Sequence, residues 1–292
     1  MLRSYRGSVF EGAARVGSGR RSAYSSMLEI EFAQLSDAGR VRGHNEDYLG
    51  YVLPATAAEA RTHGWLFALA DGVGGQAKGE VASRLAVESV VSGFREAPAG
   101  ESHTALLQRL VQSANTRVFE VGLADGPGGT SMSTTLVACA LRFDRIVVAH
   151  VGDSRCYLVR RGHATLLTRD HTVASEQARI GVLYAQEAAE APTRHVLSRS
   201  LGNELFVSAE INDHQLLGGD VLALCCDGLH GSVSAADIAH VAGHATDLSA
   251  AAQNLVALAN ERDGNDNISV QLIRVRSVER VGMYRGRPYK LH

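Results

Sequence analysis

The hydrophobic pattern of this chain changes period most sharply within residues 65–91, WLFALADGVGGQAKGEVASRLAVESVV. The apolar run 65–70 has the length of a buried strand and is too short for a helix. Asp71 stands at its end, before a turn containing Gly72, Gly74 and Gly75. From Lys78 the period becomes helical, with Val81, Leu85, Val87, Val90 and Val91 on one broad face. Two readings of the junction are open. A carboxylate beside glycines can meet a hard cation without steric obstruction. G-V-G-G-Q-A also fits the dinucleotide fingerprint G-x-G-x-x-A. That fingerprint needs a parallel strand ending in an acid near position 91, where the chain instead runs through Ser92, Gly93, Phe94 and Arg95 into a polar loop.

Short apolar runs separated by polar turns recur along the chain. They predict strands over 29–35, 48–53, 133–141, 145–150, 156–160, 205–216, 221–226 and 268–275. Helices are predicted from 78 onward and over 104–121, 235–241 and 248–261, while 54–63 reads as a hairpin loop. Residues 170–204 are charged and thinly apolar, the pattern of a flap laid on a larger core. Asp170-His171-Thr172 caps a helix there, and His171 and His195 are acid/base candidates with plainer alternatives, a helix cap and a surface residue. Residues 1–27 carry Arg3, Arg6, Arg15, Arg20 and Arg21 without periodicity and read as a flexible basic arm. Residues 277–292 read as a basic tail, leaving 28–276 as the folded domain.

Composition narrows the class. With 292 residues, 45% apolar, and a net charge of −2, the chain offers no general attraction to nucleic acid or an anionic membrane. No apolar run approaches the roughly 20 residues of a membrane span. Cys139, Cys156, Cys225 and Cys226 sit in apolar, strand-like surroundings without C-x-x-C spacing, so buried free thiols in a reducing, cytoplasmic compartment are expected. Cys139 and Arg145 have the C-x5-R spacing of cysteine-dependent phosphatases, but an apolar strand leaves a thiol inert, and that reading is rejected.

The acids carry the candidate chemistry. Asp47, Asp71, Asp153, Asp227 and Asp266 each stand at a strand terminus or in the turn beside one. Singly each is a turn residue. Together they suggest one acidic cluster at the edge of packed sheets, which would repel itself unless divalent cations neutralise it. An all-oxygen set suits Mg²⁺ or Mn²⁺ and not Zn²⁺. Two such ions can deprotonate a water and steady an in-line attack at phosphorus, with Arg42 holding phosphoryl oxygens in a bidentate contact.

SDAGRVRGHNED, ALADGVGGQAKGEVAS, STTLVA, VGDSR, RSLG, CDGL and GNDNISV, in this order, resemble the metal-dependent protein phosphatase family (PPM, type 2C class), in particular its compact bacterial members. The resemblance spans residues 29–276 and implies an α+β fold, a four-layer α-β-β-α sandwich of two antiparallel sheets flanked by helices, with a small flap at about 171–200. It implies hydrolysis of phosphoserine and phosphothreonine in proteins by a water bridging two divalent metals, reversing a bacterial Ser/Thr kinase. Carried over by motif, Asp71 bridges the two ions, Gly72 supplies a carbonyl, and Asp227 and Asp266 complete the second ion. Glu46 and Asp47 act mostly through water, Asp153 with Asp227 marks a third, weaker ion, and Arg42 binds phosphate. Asp47, Asp71 and Asp227 with Arg42 are thus the expected catalytic set. The chain departs from the family at Val73, where many eukaryotic members place a histidine as proposed general acid, and at Cys226, where serine is more usual. A monomer is the family default. The rival readings are a pseudophosphatase that binds phosphoproteins without turning them over, and an NAD(P)-binding oxidoreductase built on residues 72–77.

Overall fold

The computed structural model describes residues 10–12, 27–73, 77–124, 132–284 and 287–290. In chain order these form β1 (Phe10–Gly12), β2 (Glu29–Asp37), β3 (Asp47–Val52), α1 (Ala57–Thr62), β4 (Trp65–Val73), α2 (Ala77–Arg95) and α3 (His103–Ala124). A run of strands follows: β5 (Ser133–Thr134), β6 (Leu136–Arg142), β7 (Arg145–Val151), β8 (Arg155–Arg160) and β9 (His163–Leu166). Then come α4 (Val173–Arg179), α5 (Ala185–Glu190), a 3-10 turn (Pro192–His195), β10 (Glu210–Gln215), β11 (Val221–Cys225), α6 (Asp227–His230) and α7 (Ala235–His244). The chain continues through α8 (Leu248–Arg262) and β12 (Ile268–Ser277) to a hairpin of β13 (Val281–Tyr284) and β14 (Arg287–Lys290).

Two antiparallel sheets carry the fold, ordered β1-β2-β12-β11-β8-β9 and β10-β7-β6-β4-β3, with β5 on the end of β4. The central strands are apolar at nearly every position because both faces are buried, and the period of two divides their side chains between layers. In β4, Leu66, Ala68 and Ala70 face α2 and α3, while Trp65, Phe67 and Leu69 face the opposite sheet. In β11, Leu222 and Leu224 point between the sheets, while Val221, Ala223 and Cys225 lie under α7 and α8. The helix-facing positions include small residues, which lets the helices approach. The intersheet layer is larger, with Phe32 edge-on to Phe67 at 5.2 Å and tilted against Tyr51 at 4.8 Å. The result is the expected α-β-β-α sandwich.

Several boundaries depart from the pattern-based expectation. Residues 54–63 are no plain hairpin loop: Thr56 accepts a hydrogen bond from the Glu59 amide and caps the short helix α1. The strand expected over 205–216 begins only at Glu210, because β10 pairs with β7 from Glu210↔His150 to Gln215↔Arg145, and Leu205 and Phe206 project into solvent. Strand 133–141 is broken at Thr135, and β9 was not anticipated. The dinucleotide reading fails on topology, since β4 is flanked by β3 and β6, both antiparallel, where a parallel crossover is required; residues 74–76 of its glycine turn lie outside the described residues. Most of the expected basic arm also lies outside them, and its described part, β1, pairs with β2 at the sheet edge. Among the described residues no helix is long and apolar enough to cross a membrane.

Candidate active site

One end of the sandwich gathers strand termini from both sheets around a cleft of about 430 Å³. Arg42, Glu46, Asp71, Gly72, Asp153, Asp227 and Asp266 all line it. Asp47 lies at its floor, directly opposite Asp71 in the β3–β4 register. All eight residues singled out in the sequence are therefore brought to one place. Asp47, Asp71 and Asp153 come from the sheet of β3, β4 and β7, whereas Asp227 and Asp266 follow β11 and precede β12 of the other sheet.

Local hydrogen bonding fixes these positions. The Asp71 amide donates to Thr135 Oγ1 at 3.0 Å, and the Asp71 carbonyl accepts from the Thr135 amide at 2.8 Å and Thr134 Oγ1 at 2.7 Å. This is why the strand after residue 132 is interrupted at Thr135. The Gly72 amide donates to the Glu46 carbonyl at 3.1 Å, and a Cβ on Gly72 would stand 2.2 Å from the Gly79 carbonyl oxygen, so only glycine lets α2 approach this strand end. Asn267 ties the sheets together: its Oδ1 accepts from the Glu46 amide at 2.8 Å, and its Nδ2 donates to the carbonyls of His44 at 2.9 Å and Ala38 at 3.1 Å. Asp153 sits in a turn after Gly152, whose φ of 102° demands glycine. Arg42 forms an ion pair with Asp266 at 2.8 Å, both half exposed, which leaves its guanidinium at the mouth.

The electrostatics of this cluster favour a bound cation. Burial pushes the Asp47 carboxyl up to about 7, helped by the charges of Asp227 and Asp266. Burial also drives Asp71 well above the usual carboxylate range, with Asp47, Asp227 and Asp153 adding to it. Asp153 is raised to about 7 by burial and then by Asp227, and Asp227 is raised by burial and then by Asp266. Neither carboxylate oxygen of the buried Asp47 has a hydrogen-bond partner of sound geometry, the nearby Ser269 hydroxyl and Cys226 thiol being engaged with Ser36 Oγ and the Asn267 carbonyl. An orphaned buried carboxylate among other acids is costly unless a cation satisfies it. Ligand atoms of Asp47, Asp71 and Cys226 lie within 4.8 Å of one another. Cys226 Sγ is already engaged, accepting from the Ser269 amide at 3.1 Å and donating to the Asn267 carbonyl at 3.3 Å. The donors left for an ion are oxygens, as Mg²⁺ or Mn²⁺ requires.

Sequence reasoning missed Thr134, Thr135 and Asn267. Their signal was weak: two threonines at the start of an apolar run, and an amide directly after Asp266. Of the two histidines weighed, His195 lines the cleft. His171 does not: it is fully buried, stacks on His150 at 4.7 Å, and accepts the Gly152 amide at Nδ1. Cys139 is buried in β6, and burial raises its thiol far above the reactive range, in keeping with rejection of the C-x5-R reading.

The fold agrees with what comparison with known proteins finds. The serine/threonine phosphatase stp of Listeria innocua is 33% identical over 255 residues, covering 86% of this chain and 96% of that one. The S. agalactiae serine/threonine phosphatase structure superposes with a TM-score of 0.76 at 34% identity, covering 84% of this chain and 99% of that one. The catalytic domain of the serine threonine protein phosphatase PstP, solved in complex with two manganese ions, gives a TM-score of 0.71 at 32% identity, covering 85% and 99%. The sequence profile described as protein phosphatase 2C matches residues 44–267. With its acid cluster, two-sheet sandwich and this match across most of its length, the chain belongs to the protein phosphatase 2C family.

Proposed function

We propose that this chain is a Mg²⁺- or Mn²⁺-dependent protein serine/threonine phosphatase. The observation that carries the reading is the orphaned Asp47 carboxylate facing Asp71 at the floor of a cleft lined by Asp153, Asp227 and Asp266. Relatives named serine/threonine phosphatase, one of them solved with two manganese ions, support the reaction and the metals.

Asp71, with the Gly72 carbonyl, Asp227 and Asp266, would hold two ions, and Glu46 and Asp47 would order water around them. Asp153 with Asp227 would hold a third. When bound, the ions neutralise the carboxylates, lower the pKa of a water and polarise the phosphoryl group. The chain does the rest. Thr134 and Thr135 grip both main-chain groups of Asp71 and so fix the backbone from which its carboxylate projects. Asn267 holds the loop that carries Glu46 against the opposite sheet. Arg42 keeps a planar fork at the mouth, where it can exchange part of its Asp266 contact for phosphoryl oxygens. Phosphorylated proteins, laid down by a cognate Ser/Thr kinase, are the substrates this reading implies. A reducing cytoplasm fits four free, buried cysteines, and the same reading takes the chain as a monomer.

Phosphate release from a phosphothreonine peptide is the test, measured with Mn²⁺ and with EDTA for the wild type and Asp227→Ala. Release should require metal and fall at least about 100-fold in the variant. A wild type that binds the peptide in every metal yet releases no phosphate would make this a phosphoprotein-binding module instead.

A further inference from the structure

Hydrolysis of a serine or threonine phosphate expels an alkoxide, a poor leaving group unless it is protonated as it departs. The cleft offers few groups able to do this. Glu46, Asp71, Asp153, Asp227 and Asp266 are committed to cations or their water on the phosphatase reading, on which this inference rests. Arg42 does not give up its proton in proteins. Val73, which also lines the cleft, has no proton to give. Ser200 and Asn203 can hydrogen-bond but do not ionise near neutral pH. His195 is the only imidazole lining the cleft among the described residues, and imidazole is the side chain that exchanges protons in this range.

Its position suits the role. The substrate's ester oxygen belongs to a bulky polypeptide and must lie toward the mouth, while in-line displacement puts the attacking water on the opposite side of phosphorus, over the acids. His195 ends the 3-10 turn on the flap side of that mouth. It is exposed, so it can recover a proton from solvent. The backbone on its C-terminal side is pinned: the Val196 amide donates to the Thr193 carbonyl at 3.1 Å, the Val196 carbonyl accepts from Val173 at 2.8 Å, and the Ser198 amide donates to the His171 carbonyl at 2.8 Å.

We propose that His195 of the flap is the general acid that protonates the departing serine or threonine oxygen. As water bonds to phosphorus and the P–O ester bond breaks, the imidazolium N–H passes its proton to the leaving oxygen. The alcohol departs, the attacking water loses a proton to solvent, and His195 regains one from solvent. The flap then supplies a chemical group as well as access.

Leaving-group dependence tests this. Wild type, His195→Gln and His195→Ala are compared in Mn²⁺ on a phosphothreonine peptide and on 4-nitrophenyl phosphate, whose phenolate departs without a proton. Mn²⁺ binding isotherms are recorded for the same proteins. The loss in kcat/KM on the peptide should exceed that on the aryl ester by about 100-fold in both variants, the scale of general acid catalysis, with the isotherms superimposable. Equal losses on both esters, no loss on either, or Mn²⁺ affinity weakened in step with activity would overturn the assignment. Wild type that hydrolyses neither ester would instead sink the phosphatase reading beneath it.

Discussion

Asp47 and Asp71 face each other across a pair of antiparallel strands, a position where like charges destabilise a sheet. The consequence can be read in the pH dependence of stability. Asp47 and Asp153 are raised to about 7 in the folded protein, against an ordinary carboxylate value near 4. The stability they contribute is complete below that ordinary value and is lost as pH rises through about 7. Burial lowers His103 and His230 to about 4, so their contribution runs the other way, complete above about 6.5 and lost on acidification. Metal-free Tm alone therefore mixes two opposing trends. The difference between Tm in Mn²⁺ and Tm in EDTA cancels the histidines and isolates the acids. It should widen by several degrees between pH 5 and pH 7.5, and Asp47→Asn should raise the metal-free Tm at the upper end. A difference that stays flat would mean that the acids are not the residues neutralised by the ion.

The flap (α4, α5 and the 3-10 turn) has little apolar content to hold it and relies on polar ties. Thr172 accepts the Ser175 amide at 3.3 Å to start α4, and Arg199 reaches Glu176 at 2.8 Å. Thr172→Ala removes the cap at a cost of about 1 kcal/mol. Limited proteolysis within 173–195 should then speed up about fivefold, the factor that such an energy represents, while Mn²⁺ affinity stays as it was. Elements of this kind show where sequence pattern is informative. The runs 65–70 and 221–226 were legible as strands because burial on both faces leaves no other composition for them. Each site Asp was legible because it ends or begins such a run. Residues 205–209 misled, since Leu205 and Phe206 carry a strand-like pattern but find no partner strand and remain exposed. The six residues of α1 were hidden because the helix rests on a threonine cap and buries only Ala60. Thr135 and Asn267 act through main-chain partners far away in sequence, which no local pattern encodes.

At the scale of the molecule, three apolar layers fill the spaces between helices and sheets, and all four cysteines fall within them. Burial raises Cys225 to about 12 and the others in the same direction. Iodoacetamide at pH 8 should therefore modify none of Cys139, Cys156, Cys225 and Cys226 in the native protein and all four in guanidinium chloride. Rapid labelling of Cys226 in the native, metal-free form would show that the floor of the cleft opens.

The cleft also sets the order of events along the folding route. Its acids arrive from residues as distant as Asp47 and Asp266, and on opposite sheets, so no ion can be fully held until both sheets have formed and docked. Ion uptake is then a late step that cannot nucleate the chain, and its energy appears after the rate-limiting barrier. In stopped-flow experiments Mn²⁺ should leave the refolding rate nearly unchanged and slow unfolding in proportion to the stability it adds. The loaded protein would owe its persistence to a slow exit from the native state, with the ions acting as a latch closed after assembly.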